Sequence, residues 1–353
     1  MGLLTSGNFK KNAYHAVNLT LEYTPEYIKK PLLAGVAKVP FERRLPTYLM
    51  IEPTNACNIH CPLCPVGAGV MKRKRGFMDV DKYKGLIDEV SGFVQEIVMN
   101  FAGETMMHPR IGEMIGYAEG KGIEVTVGTN GTFDKTEELL DAAPTEILYA
   151  IDGLTEETYT EYRRGAKLQQ VKQNLFKLTE GKRKRGQKKP KIVLQFVVMK
   201  HNEHEVPAVM QLARECGADE VSYTPVVIND FFKDRKHNLI SQYLPRTSIY
   251  RQYKRLRGRA KERKPSICAW VFQSVVLYNG DVSICCFDFD GTIQIGNAFE
   301  PGGFLKVWNS DKYRSYRERI IRRELDLCHH CDYSFIKPVR VDPAKHCAEP
   351  LTT

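Results

Sequence analysis

Residues 47–65 read TYLMIEPTNACNIHCPLCP, a short apolar run that ends in three closely spaced cysteines. Thr47 to Pro53 has the aromatic and aliphatic character of a buried strand, so Cys57, Cys61 and Cys64 fall just past its carboxyl end. Similar runs recur at 96–102 (EIVMNFA), 123–129 (IEVTVGT), 145–151 (TEILYAI), 191–199 (KIVLQFVVM) and 220–225 (EVSYTP), separated by helical patterns such as DVDKYKGLIDEV and EHEVPAVMQLARECG. Six strands alternating with helices predict an α/β fold. The expected form is a partial (β/α)6 TIM-like barrel with right-handed crossovers and chemistry at the carboxyl ends of its strands.

The flanks divide the chain further. Residues 1–46 read as an N-terminal helical extension, 47–225 as the barrel core, and 226–266 as a basic connector ending in a helix. Residues 267–353 read as a small α+β domain. Its signature is QSVVLYNGDVSICCFD (273–288), a hairpin turning at Asn279-Gly280, followed by the helix SDKYRSYRERIIRRE and the loop CHHC (328–331).

The 353 residues are 42% hydrophobic and 27% charged, the balance of a soluble globular protein. The longest apolar candidate, Cys268 to Tyr278, is broken by Gln273 and Ser274 and falls short of the ~18 residues a membrane span needs. The first residues lack a secretory pattern, although Met-Gly-x-x-x-Ser matches the short myristoylation motif. A cytoplasmic location is expected. Ten cysteines there are reduced thiols, metal ligands or catalytic groups rather than disulfides.

Charge is concentrated as well. KRKR at 72–75, KRKRGQKKPK at 182–191 and RQYKRLRGRAKERK at 251–264 hold 19 basic residues and one acid, within a net charge of +10. Such runs are either solvated faces or attract an anionic substrate, an acidic electron donor, a membrane surface or nucleic acid. Only Tyr253 interrupts the longest run, too little aromatic interleaving for an RNA binder.

CNIHCPLC spaces three thiols by three and then two residues. A loop of this kind can wrap one face of a cubic iron–sulfur cluster and leave the fourth iron without a protein ligand; a zinc knuckle would need a fourth donor, and His60 is poorly placed between two ligand cysteines. IEPTNACNIHCPLCP at the end of a first strand resembles the signature of the radical S-adenosylmethionine (radical SAM) enzymes. In that family the open iron binds the amino and carboxylate groups of S-adenosylmethionine, whose reductive cleavage yields a 5′-deoxyadenosyl radical. Leu63 stands where the family often has an aromatic residue.

The resemblance continues in family order. NFAGETMMHP is similar to the Gly-Gly-Glu-Pro segment that receives the methionyl amine; Gly103 and Glu104 match, while Ala102 and Thr105 replace the flanking Gly and Pro. TVGTNGT matches the family's Thr-Asn-Gly, which implies a place for Asn130 near the cofactor, and LYAIDGLTEETYTEYRRG resembles the fourth-strand segment, which implies Asp152 and an arginine, Arg163 in preference to Arg164, to pair with the cofactor's carboxylate. Ala150 stands where many relatives have serine.

The C-terminal cysteines resemble a twitch or SPASM auxiliary-cluster module, without the further closely spaced cysteines of a two-cluster version. The resemblance implies one auxiliary [4Fe-4S] cluster on Cys268, Cys285, Cys328 and Cys331, with Cys286 the alternative to Cys285 and structural zinc the alternative metal. Cys216, directly before Gly217, reads as packing. Cys286 and Cys347 are left as buried thiols or hydrogen donors to a substrate radical, and His329 and His330 as groups beside the cluster rather than ligands.

The function expected is hydrogen abstraction from a C–H bond of a small hydroxylated substrate, sugar-like or aminocyclitol-like, phosphorylated or not, oxidised through the auxiliary cluster. A redox-neutral epimerisation with a cysteine hydrogen donor is the alternative, and a peptide, lipid or RNA substrate stays open. A low-potential donor such as flavodoxin or ferredoxin is the implied partner. The non-enzymatic alternative is an iron–sulfur electron carrier or zinc scaffold.

Overall fold

The computed structural model describes residues 45–228, 236–247, 268–329, 331 and 338–344. All but the end of the N-terminal extension, the basic run at 251–264, His330 and Cys347 lie outside the described residues.

Six strands stand where the apolar runs predict them: β1 (Tyr48–Ile51), β2 (Glu96–Met99), β3 (Glu124–Thr129), β4 (Glu146–Ala150), β5 (Lys191–Val198) and β6 (Glu220–Pro225). They pair in chain order and in parallel. Parallel strands need crossovers, and the helices Val80–Val90, Ile111–Gly120, Thr136–Ala142, Leu168–Lys184 and Val206–Cys216 supply them. Their ends follow local chemistry. Asp79 caps the first of these helices by accepting from the backbone of Asp81 (3.0 Å) and Lys82 (2.9 Å). The last of them stops at Gly217, whose φ of +73° is left-handed.

The period-2 alternation of each strand sorts its side chains onto two faces. Leu49, Ile51, Ile97, Met99, Val125 and Val127 pack with Leu86, Ile87, Ile115 and Leu140 from the helices, forming one large core. On the opposite face Met50 packs with Trp270, Val275 and Leu277, and Phe101, Cys268 and Cys286 border this smaller cluster.

That second cluster exposes an arrangement the sequence does not announce. β7 (Gln273–Val276) joins the free edge of β1 in parallel, and β8 (Asp281–Ser283) and β9 (Gly296–Asn297) follow antiparallel. At the other edge β10 (Val339–Val341) pairs antiparallel with β6. The C-terminal region thus continues the barrel's sheet, covering edges that would otherwise present unpaired backbone groups. The predicted hairpin is present, with Gly280 at φ +88° in its turn.

The basic run at 182–191 has ordinary partners. Lys182 pairs with Asp219 (2.7 Å), Lys184 with Glu180 (2.9 Å), Arg185 with Glu137 and Asp141, Lys189 with Glu119 (3.0 Å) and Lys191 with Glu220 (2.6 Å). These pairs give five of the run's seven basic residues partners within the chain, and the helix C-terminus adds a dipole that favours cations. Among the described residues no helix is long and apolar enough to cross a membrane.

Candidate active site: a three-cysteine loop and a second cysteine group

Beyond β1 the chain turns through Thr54 and Asn55 into the cysteine loop, and both side chains act as brackets. Thr54 Oγ1 donates to Gly76 O (2.7 Å) and accepts from Ala56 N (3.0 Å); Asn55 donates to Lys74 O (2.8 Å) and accepts from Gly76 N (2.9 Å). The stretch after the cysteines is thereby folded back against the strand end. Cys61 is 5% exposed, and Cys57 and Cys64 are half-buried.

Three successive strand ends hold this loop. After β2, Glu104 N donates to Ala56 O (2.7 Å), and Gly103 adopts φ +80° so close to β1 that a Cβ there would lie 2.5 Å from Ala56 O. Only glycine fits both demands. After β3, Asn130 Nδ2 donates to Asn58 Oδ1 (3.0 Å), while Asn58 Nδ2 donates to Thr132 Oγ1 (2.9 Å). After β4, His60 N donates to Arg164 O (2.7 Å), and the Arg163 guanidinium reaches Cys61 Sγ at 3.9 Å. The sequence motifs did not reveal Asn58 as the link between Asn130 and the loop, and nothing in an Asn-Ile-His triplet signals it.

The predicted polar residues are all here, several already engaged by the chain itself. Glu104, 3% exposed, accepts from Met106 N (3.0 Å) and Thr129 Oγ1 (2.8 Å) on one oxygen and Asn130 N (2.7 Å) on the other. Burial still raises its carboxyl above the usual range, those hydrogen bonds pulling the other way. A carboxylate has about four acceptor sites, so one is left for a further donor. Asp152 is wholly buried and forms an ion pair with Arg163 through Nε (2.6 Å) and the second terminal nitrogen (2.5 Å). Arg164 points elsewhere, its Nε on Glu161 O (3.3 Å).

Burial pushes the Cys57 thiol up to about 11 and the Cys61 thiol to about 12, the latter against the pull of Arg163. Thiols so placed lose their protons when a cation takes its place, which is the chemistry of a soft metal site. A cubic cluster takes its thiolates on different irons, and three thiols spaced along one loop are the donor type such a cluster needs.

The second group assembles from distant stretches. Cys268 precedes a short 3-10 helix (Ala269–Phe272), Cys285 and Cys286 follow β8, and Cys328 lies in the short helix Asp326–His329. Their thiols feel one another: Cys268 and Cys285 both bear on Cys328, which burial first raises to about 11, and Cys268, Cys285 and Cys331 bear on Cys286. The hydrogen bond from Cys286, helped by the Phe287 N–H (3.4 Å), holds Cys285 below the usual thiol range, while burial keeps Cys286 well above it. Asp288, 1% exposed, braces the turn by accepting from Thr292 N (2.8 Å), Thr292 Oγ1 (2.7 Å), Ser283 Oγ (2.9 Å) and Ile293 N (2.9 Å). Cys216, as expected, is buried packing, its thiol donating to Ala213 O (3.5 Å).

A buried ion pair joins the two regions. Arg73 meets Glu52 with both terminal nitrogens (2.8 and 2.6 Å) and donates from Nε to Phe289 O (2.6 Å), while Tyr278 N donates to Glu52 (3.3 Å). Phe101, two residues before Gly103, stacks on Phe289 at 5.3 Å. Arg73 thus serves as an internal tie rather than as part of a free basic patch.

Comparison with known proteins agrees with this layout. A model of the radical SAM superfamily matches residues 51–213, and one of an iron-sulfur cluster-binding domain, SPASM, matches 252–332. A tungsten-containing aldehyde ferredoxin oxidoreductase cofactor-modifying protein of Pyrococcus furiosus is 25% identical over 202 residues, 53% of this chain and 55% of that one. The chain therefore spans about half the length of that relative. An Fe-coproporphyrin III synthase of Methanosarcina barkeri is 21% identical over 324 residues, covering 79% of each chain. Among solved structures, Streptococcus suis SuiB bound to S-adenosylmethionine superposes with a TM-score of 0.59 at 16% identity, over 88% of this chain and 78% of that one. BtrN in complex with AdoMet and 2-DOIA gives 0.51 at 20% identity, over 82% and 94%. The chain belongs to the radical SAM superfamily of enzymes, with a C-terminal iron–sulfur cluster-binding domain, and its cofactors are S-adenosylmethionine, the [4Fe-4S] cluster that binds it and an auxiliary cluster.

Proposed function

We propose that this chain abstracts hydrogen from a C–H bond of a small hydroxylated substrate, sugar-like or aminocyclitol-like, and oxidises that carbon. One observation carries the reading: the Cys57–Cys64 loop and the second cysteine group sit on one continuous sheet, tied by Arg73 and Glu52, with Phe101 stacked on Phe289 where their loops meet. In this reading Cys57, Cys61 and Cys64 hold the first cluster, and Cys268, Cys285, Cys328 and Cys331 the second. The spacing from Gly280 favours Cys285 over Cys286 as the ligand. The core at 47–225 and the auxiliary domain at 267–353 are the two working parts, and a low-potential donor such as flavodoxin or ferredoxin supplies electrons.

When bound, the cofactors supply a 5′-deoxyadenosyl radical at the first site and a one-electron acceptor at the second. The chain's own residues place and shield the reaction. Glu104 offers its remaining acceptor site to an ammonium group, Gly103 lets that segment approach the loop, and Asn130 fixes the loop through Asn58. Met50, Trp270, Val275 and Leu277 keep water from the inner face of the sheet beside Cys286. A hydroxylated carbon suits an acceptor with no open iron, because a radical there gives up an electron and its hydroxyl proton to become a carbonyl.

A second reading rests on Cys286, which borders the apolar cluster of Met50, Trp270, Val275 and Leu277: an S–H there returns a hydrogen atom to the substrate carbon in an epimerisation that leaves the substrate's oxidation state unchanged, and an electron from the low-potential donor with a proton from solvent restores the thiyl radical to the thiol. Product mass decides between them. Oxidation removes two hydrogens; epimerisation removes none and introduces solvent deuterium at carbon. S-adenosylmethionine left intact under strong reductant would refute both.

A further inference from the structure

Arg163 is the one described cation in contact with a cysteine of the first loop, and its placement is over-determined. Two of its nitrogens are spent on Asp152 (2.6 and 2.5 Å) and a third lies 3.9 Å from Cys61 Sγ. Its ring neighbour is Tyr162, at 5.6 Å. Asp152 has no freedom to withdraw: its other carboxylate oxygen accepts from Val197 N (2.7 Å) and its backbone carbonyl from Asn202 Nδ2 (3.0 Å). The pair is thus locked from β4, β5 and the turn after β5, with its positive end toward Cys61, a residue 5% exposed. In so dry a position a charge acts at low effective dielectric and salt screens it little.

Charge and hydrogen bonds at the ligand sulfurs are among the factors that set an iron–sulfur cluster's reduction potential. Resting on the proposed assignment of Cys57, Cys61 and Cys64 to the first cluster, we infer that Arg163 is a positioning residue that raises that cluster's reduction potential from the Cys61 side, with Asp152 metering its charge. A cation near the sulfur favours the reduced, more negative cluster. The buried carboxylate behind it offsets part of that effect and fixes the remainder.

The test is a potentiometric titration of the reconstituted full chain, followed by electron paramagnetic resonance without S-adenosylmethionine. Arg163→Gln should lower the reduced-to-oxidised ratio of the first cluster at fixed potential by about tenfold, roughly 59 mV for one electron, and Asp152→Asn should raise it by a similar factor. Opposite shifts support the inference. Unchanged potentials overturn it, including the case where Arg163→Gln only weakens S-adenosylmethionine binding, which would make the arginine a cofactor contact. Should Arg163→Gln fail to retain the cluster, Arg163→Lys keeps the buried charge and loses the fork that reaches Cys61; it should lower the ratio about two- to threefold, and an unchanged ratio overturns the inference. A wild-type chain with no first cluster would instead refute the cysteine assignment on which the inference rests.

Discussion

The loop around Cys57, Cys61 and Cys64 and the group around Cys268, Cys285 and Cys328 are built by opposite strategies. The first is eight residues of contiguous chain, held by hydrogen bonds arriving from the ends of β2, β3 and β4. The second gathers distant segments around one braced turn, with Asp288 taking four donors. A contiguous site needs its surroundings to orient it; a scattered site needs them to assemble it. The two regions should therefore fail differently when perturbed.

The largest contrast is between cysteines. Cys64→Ala should abolish S-adenosylmethionine cleavage under dithionite, whereas Cys328→Ala should leave cleavage and uncouple it from product; each should lose about four of roughly eight irons. Equal loss of cleavage in both would erase the distinction. Next comes the tie between the regions: Arg73→Ala strands the wholly buried Glu52 carboxylate and should cost ~3–5 kcal/mol in urea unfolding. A cost near zero would mean the pair adds nothing to their union. Gly103→Ala forces a side chain into left-handed backbone against Ala56 O, and roughly 2 kcal/mol or more should be lost, with iron lost first from the three-cysteine loop. The smallest effect should follow Asp288→Ala, about 1–3 kcal/mol, with iron lost from the second region alone. Loss from the first region in that variant would show that the two sites are not independently built.

The same contrast explains what could be read from sequence. Parallel strands covered by helices are nearly continuous aliphatic runs, so all six barrel strands were legible, as was the local motif from Glu52 to Cys64. The pairing of β7 with β1 was not, because a strand's distant partner leaves no local trace. Asp288 looks like a loop aspartate in FDFDGT until its four donors are seen. Arg73 reads as one of four basic residues in a row, and only the fold shows that it turns inward to Glu52 while Lys72, Lys74 and Arg75 remain exposed. Arg163 was legible as a site residue, but its commitment to Asp152 and Cys61 was not.

The central claim is that three thiolates leave one iron open for S-adenosylmethionine. Its most direct test is electron paramagnetic resonance of the anaerobically reconstituted, dithionite-reduced protein before and after that compound is added. The account predicts a cluster signal that changes shape on addition in the wild type and is missing in Cys64→Ala. A signal that ignores the added compound, or no paramagnetic species in a colourless protein, would contradict it.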